Sequence, residues 1–299
     1  MDKVILSVDA GGTKTKAALI DKNMKICYEE IGPCGSPAVL KEKALRNVFD
    51  LVRKVVRENK DKYDISYIQM GISGLGVIDN KQYFEDALKA ELGIEVSLEN
   101  DVVIALYNTI KEKDEGIAVI SGTGSACGII HNGKITINGG WGNLLTEDGS
   151  GYTSVKTLMV NMIERYELTG EISPLSKKFM NLIGISNIHK LRTFTYFNDK
   201  FHVASYAKFI NEEAKGDNEA KMILEHCGEQ LARRIMRLYS EVNKNVILGI
   251  YGGFITESEI ARTSMIKYIN EHGYNPDTVL GEDPIYGGFY LSKRKGKIW

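Results

Sequence analysis

Two glycine-rich segments of this chain have the residue types that bind phosphate groups. The first follows an apolar stretch at residues 4–8 and reads Asp9-Ala10-Gly11-Gly12-Thr13-Lys14-Thr15. Glycine lets the backbone turn tightly and approach a ligand, so that consecutive N–H groups can point at a phosphate. A carboxylate at a strand end can hold Mg²⁺ beside that phosphate. The pattern therefore predicts a nucleotide phosphate site, with Asp9 also as metal ligand, at Asp9, Gly11, Gly12, Thr13, Lys14 and Thr15.

The same arrangement returns in the second part of the chain. Residues 117–120 are apolar, Ser121-Gly122-Thr123-Gly124-Ser125 follows, and residues 126–130 can form a returning strand. Taken alone, each segment could be an ordinary turn, and neither has the G-K-[ST] sequence of a Walker motif. Because the two have matching positions between strands, we predict that they face each other and that Thr123 also binds phosphate.

Asp101 is the candidate for chemistry. It follows Glu99-Asn100, where a predicted buried strand ends and a helix begins. Open α/β sheets bind ligands at the carboxyl ends of their strands, and a carboxylate there can accept the proton of an attacking hydroxyl. The alternative is that Asn100 or Asp101 only caps the helix. These residues by themselves leave both interpretations open.

Three further glycine-rich segments are predicted to be shaped loops. Gly139-Gly140-Trp141-Gly142-Asn143 and Thr146-Glu147-Asp148-Gly149-Ser150-Gly151 combine an aspartate with accessible backbone, which suits several sugar hydroxyls. Trp141 could stack on a ligand or fill the core, and we favour the core. Tyr251-Gly252-Gly253 would let a purine ring pack close to the backbone, unless it is a plain turn.

The spacing of apolar residues predicts two α/β lobes, one over residues 1–115 and one over 116–299 with a helical insertion. Each begins with a strand, a glycine turn and a returning strand, so the lobes form a degenerate repeat with a cleft between them. The predicted strands cover 4–9, 15–21, 24–30, 66–72, 95–99, 117–121, 126–131, 134–137 and 245–250. The predicted helices cover 38–59, 81–92, 101–111 and most of 151–239, and a helix, a strand and a helix follow to the end.

Composition limits the classes of partner. With a formal net charge of −1 over 299 residues, nothing global favours nucleic acid or an anionic membrane. We expect no signal peptide, because Met1-Asp2-Lys3 leads straight into a strand, and no apolar stretch approaches the ~20 residues of a bilayer span. Four scattered cysteines without a C-x-x-C pair suit free thiols in a reducing cytoplasm. The expected location is therefore cytoplasmic.

With these motifs in order, the chain resembles the N-acetylhexosamine kinases of the BadF/BadG/BcrA/BcrD-type ATPase family, within the superfamily of sugar kinases, actin and heat-shock ATPases. The resemblance extends from Val4 to Gly288. The quoted anchors are Asp9 to Thr15, Gly71 to Gly74, Asn100-Asp101, Ile120 to Ser125, Gly139 to Gly142, Glu147 to Tyr152, Ala214 to Asp217 and Tyr251 to Gly253.

The resemblance implies two ribonuclease-H-like lobes around an ATP cleft, with ATP and Mg²⁺ as cofactors. It makes Asp101 the catalytic base and Asp148 the acidic residue that binds sugar hydroxyls, which favours function over helix capping. It places the sugar site at Ser36, Ser125, Ala126, Gly140, Trp141, Gly142, Asn143 and Asp148. Beyond the two phosphate loops, it places the nucleotide near Gly216, Gly252, Gly253 and Glu257. Homodimers are common among such kinases, so a homodimer is expected.

Two positions depart from the family pattern. Many relatives carry asparagine where Ser36 stands, and the animal N-acetylglucosamine kinases carry asparagine where Ala126 stands. Both residues here are smaller, which leaves volume around the substituents of an amino sugar. The resulting hypothesis is a kinase that phosphorylates N-acetylglucosamine, N-acetylmuramate or both, at O6, in cell-wall sugar salvage. The alternatives are an ATPase activator of an iron–sulfur radical dehydratase and a non-catalytic ATP-binding sensor.

Overall fold

The computed structural model describes residues 1–242 and 244–299. Its first sheet has five strands in the order β3-β2-β1-β4-β5, with β2 and β3 antiparallel to their neighbours and β4 and β5 parallel to β1. These strands are β1 (Asp2–Ala10), β2 (Lys14–Asp21), β3 (Ile26–Pro33), β4 (Tyr63–Ile72) and β5 (Glu95–Asn100). The helices of this part are α1 (Pro37–Leu40), α2 (Glu42–Asn59), α3 (Lys81–Leu92) and α4 (Asp101–Ile110).

The second sheet repeats this order. It reads β10-β9-β6-β7-β8, so its first, second and third strands form a meander and its fourth and fifth follow on the other side, as in the first sheet. The strands are β6 (Gly116–Ser121), β7 (Ser125–His131), β8 (Lys134–Gly139), β9 (Ile247–Tyr251) and β10 (Asp277–Leu280). The predicted α/β class with two related sheets is confirmed.

The helical insertion lies between β8 and β9. It contains α5 (Gly151–Thr169), α6 (Pro174–Leu182), α7 (Leu191–Phe197), α8 (Lys200–Ser205), α9 (Ala207–Glu213) and α10 (Asn218–Met236). The chain ends with α11 (Gly253–Glu257), α12 (Glu259–Glu271) and, after β10, α13 (Ile285–Arg294). Buried residues of the insertion form one hydrophobic core with those of β6, β7 and β9.

Two helices cross between the sheets. The buried side chains of α4, among them Val102 and Leu106, pack with Ala118 and Ile130 of the second sheet. In return, Ile285 and α13 pack on the first sheet, in the cluster that contains Ile5, Ala18, Ile20 and Tyr67. Each sheet is thus covered in part by a helix that the chain enters from the other sheet, which ties the two together.

Two glycines of α13 make this crossing possible. A Cβ on Gly287 would clash with the carbonyl of Ile104 in α4, and a Cβ on Gly288 would clash with the Ser7 hydroxyl of β1. The Ser7 hydroxyl also donates to the Ile285 carbonyl across 2.6 Å. The helix therefore lies against α4 on one side and β1 on the other at a distance that only glycine permits.

The predicted single helix over 38–59 is wrong in one respect. The helix breaks between α1 and α2 at Lys41, whose φ of 52° is left-handed. Lysine has no intrinsic preference for that conformation, so nothing in the local sequence marks the break. The other predicted strands and helices agree with the structure to within a few residues at their ends.

Among the described residues, we find no helix with both the length and the apolar character that a bilayer crossing needs. All four cysteines are free thiols, and Cys127 and Cys227 are buried. Burial raises the pKa of each of these two thiols to about 12.

Candidate active site

The carboxyl ends of the first-sheet strands bring Asp9 and Asp101 together. Asp9 is paired with Gly71 on β4, which in turn is paired with Glu99 on β5, two residues before Asp101. Burial raises the pKa of Asp9 to about 7, and the carboxylates of Asp101 and Asp283 add to the rise. Lys14 and Lys16 oppose the shift. This edge therefore concentrates negative charge that a cation would stabilise.

Asp101 stands at the first turn of α4. The Asn100 side chain caps the helix, since its Oδ1 accepts from Val102 N across 3.0 Å, and Asp101 Oδ1 accepts from the same N–H across 2.9 Å. Burial raises the pKa of Asp101, while hydrogen bonds from the Ser73 side chain and the Val102 amide lower it. Asn100 fills the capping position, so the carboxylate of Asp101 can take part in chemistry as well.

Asp283 is an acidic residue of this site that the sequence analysis missed. It precedes α13, caps Ile285 N through Oδ1, and its Oδ2 lies 2.7 Å from Lys16 Nζ on β2. Lys16 also contacts Glu29 at 2.9 Å. The carboxylates of Asp283 and Glu29 raise the pKa of Lys16 more than its burial lowers it. This pairing connects the two sheets and neutralises Asp283.

The first glycine loop is a tight turn with polar side chains outside it. Gly11 N–H donates to Lys14 O across 3.0 Å, so that amide is used within the turn. Thr13 and Lys14 are exposed, whereas Gly12 is half-buried. Thr15 lies apart from them, because its side chain is fully buried and its hydroxyl donates to Pro33 O across 2.8 Å. The Thr15 hydroxyl therefore stabilises β3 and does not face the loop's open side.

The second glycine loop is held by side chains of the following loop. The Ser121 hydroxyl donates to Gly149 O across 2.6 Å, and the Ser125 hydroxyl donates to Asp148 O. Within the turn, Gly122 N donates to Gly124 O, and Gly151 N donates back to Gly122 O across 2.8 Å. The loop of residues 121–125 and the loop of residues 139–150 thus form one hydrogen-bonded unit.

A buried ion pair supports this unit. The Glu147 side chain is 4% exposed, its Oε1 accepts from Ser125 N across 3.1 Å, and Lys200 Nζ of α8 donates to the same oxygen across 2.6 Å. A Cβ on Gly124 would overlap both charged groups. Gly124 therefore makes room for the ion pair rather than for a ligand. Lys200 lies far from the loop in sequence and was not predicted.

Asp148 is paired with a buried arginine. Its Oδ2 lies 2.6 Å from a terminal nitrogen of Arg234, whose side chain is only 4% exposed. Arg234 interrupts the buried face of α10, between Leu231, Ala232 and Ile235, and this charged residue among apolar ones was the available signal. The Asp148 carboxylate is 39% exposed, so it can reach a ligand while the arginine fixes its position.

The Gly139–Asn143 segment is open to solvent. Gly139, Gly140 and Gly142 have positive φ angles, which turn the backbone outwards. Trp141 is 68% exposed, so the interpretation of Trp141 as a core residue is wrong and its ring face is accessible. Asn143 is half-buried beside it. Leu144 and Leu145 are also exposed, at 92% and 77%.

A pocket of about 210 Å³ joins the two glycine loops. It is lined by Thr13 of the first loop, Thr123 of the second, and Gly253 and Glu257 of α11, all of which were predicted on the nucleotide side. Phe201, Lys208 and Asn211 of the insertion also line it and were missed, because helical spacing alone does not show which face meets the pocket. The structure thus brings together predicted residues from three distant segments.

Seven of the eleven predicted nucleotide residues lie outside that pocket's lining: Gly216 and Gly252 in the second lobe, and Asp9, Gly11, Gly12, Lys14 and Thr15 at the first loop. Gly252 has a φ of 95°, and a Cβ there would crowd the backbone of Ser121, so this glycine lets β9 turn beside the second loop. Gly216 is exposed in the turn before α10, where its N–H donates to Glu213 O across 3.0 Å. Asp217 then caps α10 by accepting from Glu219 and Ala220 amides.

Comparison with protein families identifies the chain. The model of the BadF/BadG/BcrA/BcrD ATPase family matches residues 6–286. The chain belongs to this family.

Two curated relatives cover nearly the whole chain. The N-acetylmuramic acid/N-acetylglucosamine kinase of Clostridium acetobutylicum is 28% identical over 279 residues, 90% of each chain. The N-acetyl-D-glucosamine kinase of Dictyostelium discoideum is 24% identical and covers 99% of each. The resemblance found in the sequence is therefore confirmed.

Solved structures support the fold. A candidate N-acetylglucosamine kinase of Chromobacterium violaceum superposes with a TM-score of 0.76 at 18% identity, over 97% of this chain and 99% of the other. A ROK family glucokinase from Streptomyces griseus, in complex with glucose and AMPPNP, gives a TM-score of 0.61 at 18% identity over 96% and 97%. These likenesses confirm the two-lobed fold.

The donor set of this ATPase-family chain fits Mg²⁺ beside a nucleotide. Asp9, with its raised pKa and two neighbouring carboxylates, is a site that a divalent cation would stabilise. The described residues contain no group of three or more histidine, cysteine or carboxylate side chains that could enclose an ion. Mg²⁺ commonly uses one or two carboxylates together with substrate phosphates and water, which agrees with this arrangement.

The two positions that depart from the kinase pattern lie on different lobes. Ser36 precedes α1 and is 2% exposed, with its hydroxyl near Gly74. Ala126 is half-buried on β7, and a Cβ on Gly140 would lie 3.6 Å from its methyl group. Ala126 thus lies against the Gly139–Asn143 segment, whereas Ser36 faces the first lobe.

Proposed function

We propose that this chain transfers the γ-phosphoryl group of ATP to O6 of an amino sugar, N-acetylglucosamine, N-acetylmuramate or both. The enzyme class predicted from the sequence, an ATP-dependent sugar kinase, is confirmed, because the chain belongs to a family of ATPases and its curated relatives are named sugar kinases. The sugar and the acceptor atom are the new part of the proposal.

One observation carries the proposal. A pocket lined by both glycine loops includes Thr13 of the loop that Asp9 precedes, Asp9 and Asp101 converge at the end of the first sheet, and Asp148 stands on the loop that is bonded to the second glycine loop. A nucleotide that bridges the loops would direct its phosphates towards this acidic edge, and a sugar held by Asp148 would meet them there.

Asp101 is the proposed base of the reaction. The sugar O6–H proton passes to the Asp101 carboxylate as O6 forms a bond to the γ-phosphorus, and the bond from phosphorus to the bridging β,γ-oxygen breaks to release ADP. Burial raises the pKa of Asp101, which makes the carboxylate a better proton acceptor, and the hydrogen bonds from Ser73 and Val102 limit that rise. Mg²⁺ at Asp9 would neutralise charge on the transferring phosphates.

Asp148 and the Gly140–Asn143 backbone are the proposed sugar-binding elements. Arg234 holds the Asp148 carboxylate in position, so its free oxygen can accept hydrogen bonds from two sugar hydroxyls. Trp141, exposed at the same segment, offers an aromatic face to the sugar ring. The small Ala126 leaves room beside this wall for the lactyl ether of N-acetylmuramate.

A coupled assay of ADP release tests the proposal. N-acetylglucosamine, N-acetylmuramate, glucosamine and glucose are offered in turn, and the phosphorylated carbon is assigned by ³¹P–¹H NMR. We expect turnover on both N-acetylated sugars, with phosphate at O6. In Ala126→Asn the larger side chain should lower turnover on N-acetylmuramate far more than on N-acetylglucosamine. Turnover on N-acetylglucosamine with none on N-acetylmuramate would sink the wider specificity.

The same assay separates the alternatives. A sensor would bind ATP without sugar-stimulated release of ADP. An activator of an iron–sulfur enzyme would need accessible thiolates, whereas two of the four cysteines are buried with pKa values raised to about 12. We propose a role in cell-wall sugar salvage. The homodimer and the cytoplasmic location stay predictions.

A further inference from the structure

A cavity of about 700 Å³ contains none of the predicted site residues. It lies where the C-terminal end of α4, the start of β9 and the middle of α13 meet the β2–β3 turn. Residues from both sheets and from both crossing helices therefore form its walls. The cavity is large enough for a small metabolite, and it is larger than the pocket that joins the two glycine loops.

The walls of this cavity combine apolar rings with positive charge. Tyr251, Phe289 and Tyr290 supply aromatic surface, and Ile110, Ile247 and Val279 supply aliphatic surface. Four lysines and two glutamates also line it, a formal excess of two positive charges. Glu112 pairs with Lys293 at 2.6 Å and Glu282 with Lys111 at 3.5 Å, so the excess is assigned to Lys22 and Lys113.

A buried polar atom in the wall has no partner within the described residues. Asn108 is 3% exposed, and its amide nitrogen lies 3.3 Å from the carbonyls of both Glu282 and Asp283. Its Oδ1, in contrast, accepts no hydrogen bond from the described part of the chain. An unmet buried acceptor costs about 1–3 kcal/mol, but this oxygen is itself buried, so we assign it no contact with a ligand.

We infer that this cavity is a second binding site, for a ring compound that carries a phosphate. The ring would pack on Tyr251, Phe289 and Tyr290, and the phosphate would meet Lys22 and Lys113. Sugar phosphates and nucleoside monophosphates share this chemistry. The site is separate from the proposed kinase site and does not depend on the proposed function.

The chain contains a reporter for this site. Trp299 stacks on Phe289, with ring centroids 6.0 Å apart and an interplanar angle of 29°. Only one other tryptophan, Trp141, is present. In Trp141→Phe the fluorescence comes from Trp299 alone. We titrate that protein with N-acetylglucosamine 6-phosphate, with AMP and with inorganic phosphate.

A saturable change of Trp299 fluorescence is expected for at least one of the two ring compounds, with a Kd of about 1 mM or tighter. The tighter ligand identifies the source. Lys22→Glu with Lys113→Glu should weaken it at least about tenfold, because two attractive charges become repulsive. The matched control, Lys60→Glu with Lys62→Glu in an exposed turn outside the cavity, should leave the Kd unchanged. Asp148→Asn should also leave it unchanged, which separates this site from the sugar site.

Three results would overturn the inference. The first is no saturable change for either ring compound up to about 10 mM, a concentration at which even a weak specific site would fill. The second is an unchanged Kd in the Lys22 and Lys113 double variant. The third is equal affinity for inorganic phosphate, which would leave the ring surface without a role.

Discussion

The two sheets have edges of the same topology, but the acidic residues at these edges are paired differently. At the first edge, Asp9 precedes the glycine turn, and at the second the corresponding residue is Ile120. An aspartate follows the fifth strand in both: Asp101 is the first residue of α4, and Asp283 lies two residues before α13. Asp283 is paired with Lys16 from the other sheet, whereas Asp101 receives only neutral donors. The Asp101 carboxylate at the first edge therefore has no paired cation, whereas the Asp283 carboxylate at the second edge is neutralised by Lys16.

The two glycine loops also differ in how far their side chains are held by hydrogen bonds and ion pairs. The first loop has its polar side chains Thr13 and Lys14 exposed. The second is bonded through Ser121 and Ser125 to the loop that carries Asp148, and the Glu147–Lys200 pair lies beneath it. The duplicated fold thus leaves the first loop open and uses the second to support the loop that carries Asp148.

The strongest test compares the two equivalent aspartates. Asp101→Asn should lower kcat by about 10²–10⁴-fold, the usual cost of losing a general base, while the sugar Kd changes little. Asp283→Asn should cost less than about tenfold, because that carboxylate is already neutralised by Lys16. Steady-state ADP release gives kcat, and calorimetric titration gives the sugar Kd. Equal losses in the two variants would show that the edges are not differentiated.

The buried ion pair under the second loop should matter more than exposed pairs. Lys200→Met leaves the buried Glu147 carboxylate without its cation and should lower the free energy of unfolding by about 3 kcal/mol. Adding Glu147→Gln to Lys200→Met should restore much of the lost free energy of unfolding, because the uncompensated carboxylate is removed. Lys178→Met, which removes a more exposed partner of Glu213, serves as the control and should cost less than about 1 kcal/mol. Urea unfolding measures all four proteins, and a Lys200→Met loss no greater than the control contradicts the support role.

The charge at the first edge should appear as a pH dependence. The pKa of Asp9 is raised to about 7 in the folded protein, so the folded state holds this proton more tightly than the unfolded state. Stability from Asp9 is therefore present below its unfolded pKa near 4 and is lost as the pH rises towards 7. The full shift corresponds to about 4 kcal/mol, and because Asp9 is only half-buried we expect solvent to screen about half of it. Without nucleotide or metal, Asp9→Asn should therefore match the wild type at pH 4 and exceed it by about 2 kcal/mol at pH 8. Parallel stability curves from pH 4 to pH 8 would contradict the raised pKa.

The smallest effect should separate two threonines of the first loop. Thr15→Val removes one buried hydrogen bond and should cost about 1 kcal/mol of stability while the KM for ATP stays unchanged. Thr13→Val should raise the KM for ATP with little change in stability, because Thr13 lines the pocket between the loops. Thermal unfolding and ATP titrations distinguish them. A raised KM in Thr15→Val would return that residue to the nucleotide site.

Local patterns were enough to predict much of the site. Strand–glycine–strand patterns indicated both loops, and the place of Asp101 between a strand and a helix made it a candidate that the family resemblance favoured over a helix cap. The pairs that prepare the site were not predictable in this way. Arg234 meets Asp148, Lys200 meets Glu147 and Lys16 meets Asp283 across long stretches of chain, and a charged residue carries no local mark of its partner.

The solvent exposure of individual side chains could not be predicted from the sequence either. Trp141 could be an interior residue or a ligand-facing one, because a large aromatic side chain suits both. Its position was decided by the three positive-φ glycines around it, which turn the segment away from the core. The break at Lys41 depends in the same way on packing, since lysine has no preference for a left-handed φ.

The sequence by itself determined the repeated order of strands, the two glycine turns and the acidic residues beside them, because these depend on period, backbone freedom and strand ends. Only the tertiary structure decided which lobe keeps its charge. That outcome depends on α4 and α13 crossing between the sheets, where Gly287 and Gly288 permit contact and Lys16 reaches Asp283. Charge pairing and close packing are set by distances between segments remote in sequence, and these distances exist only once the chain is folded.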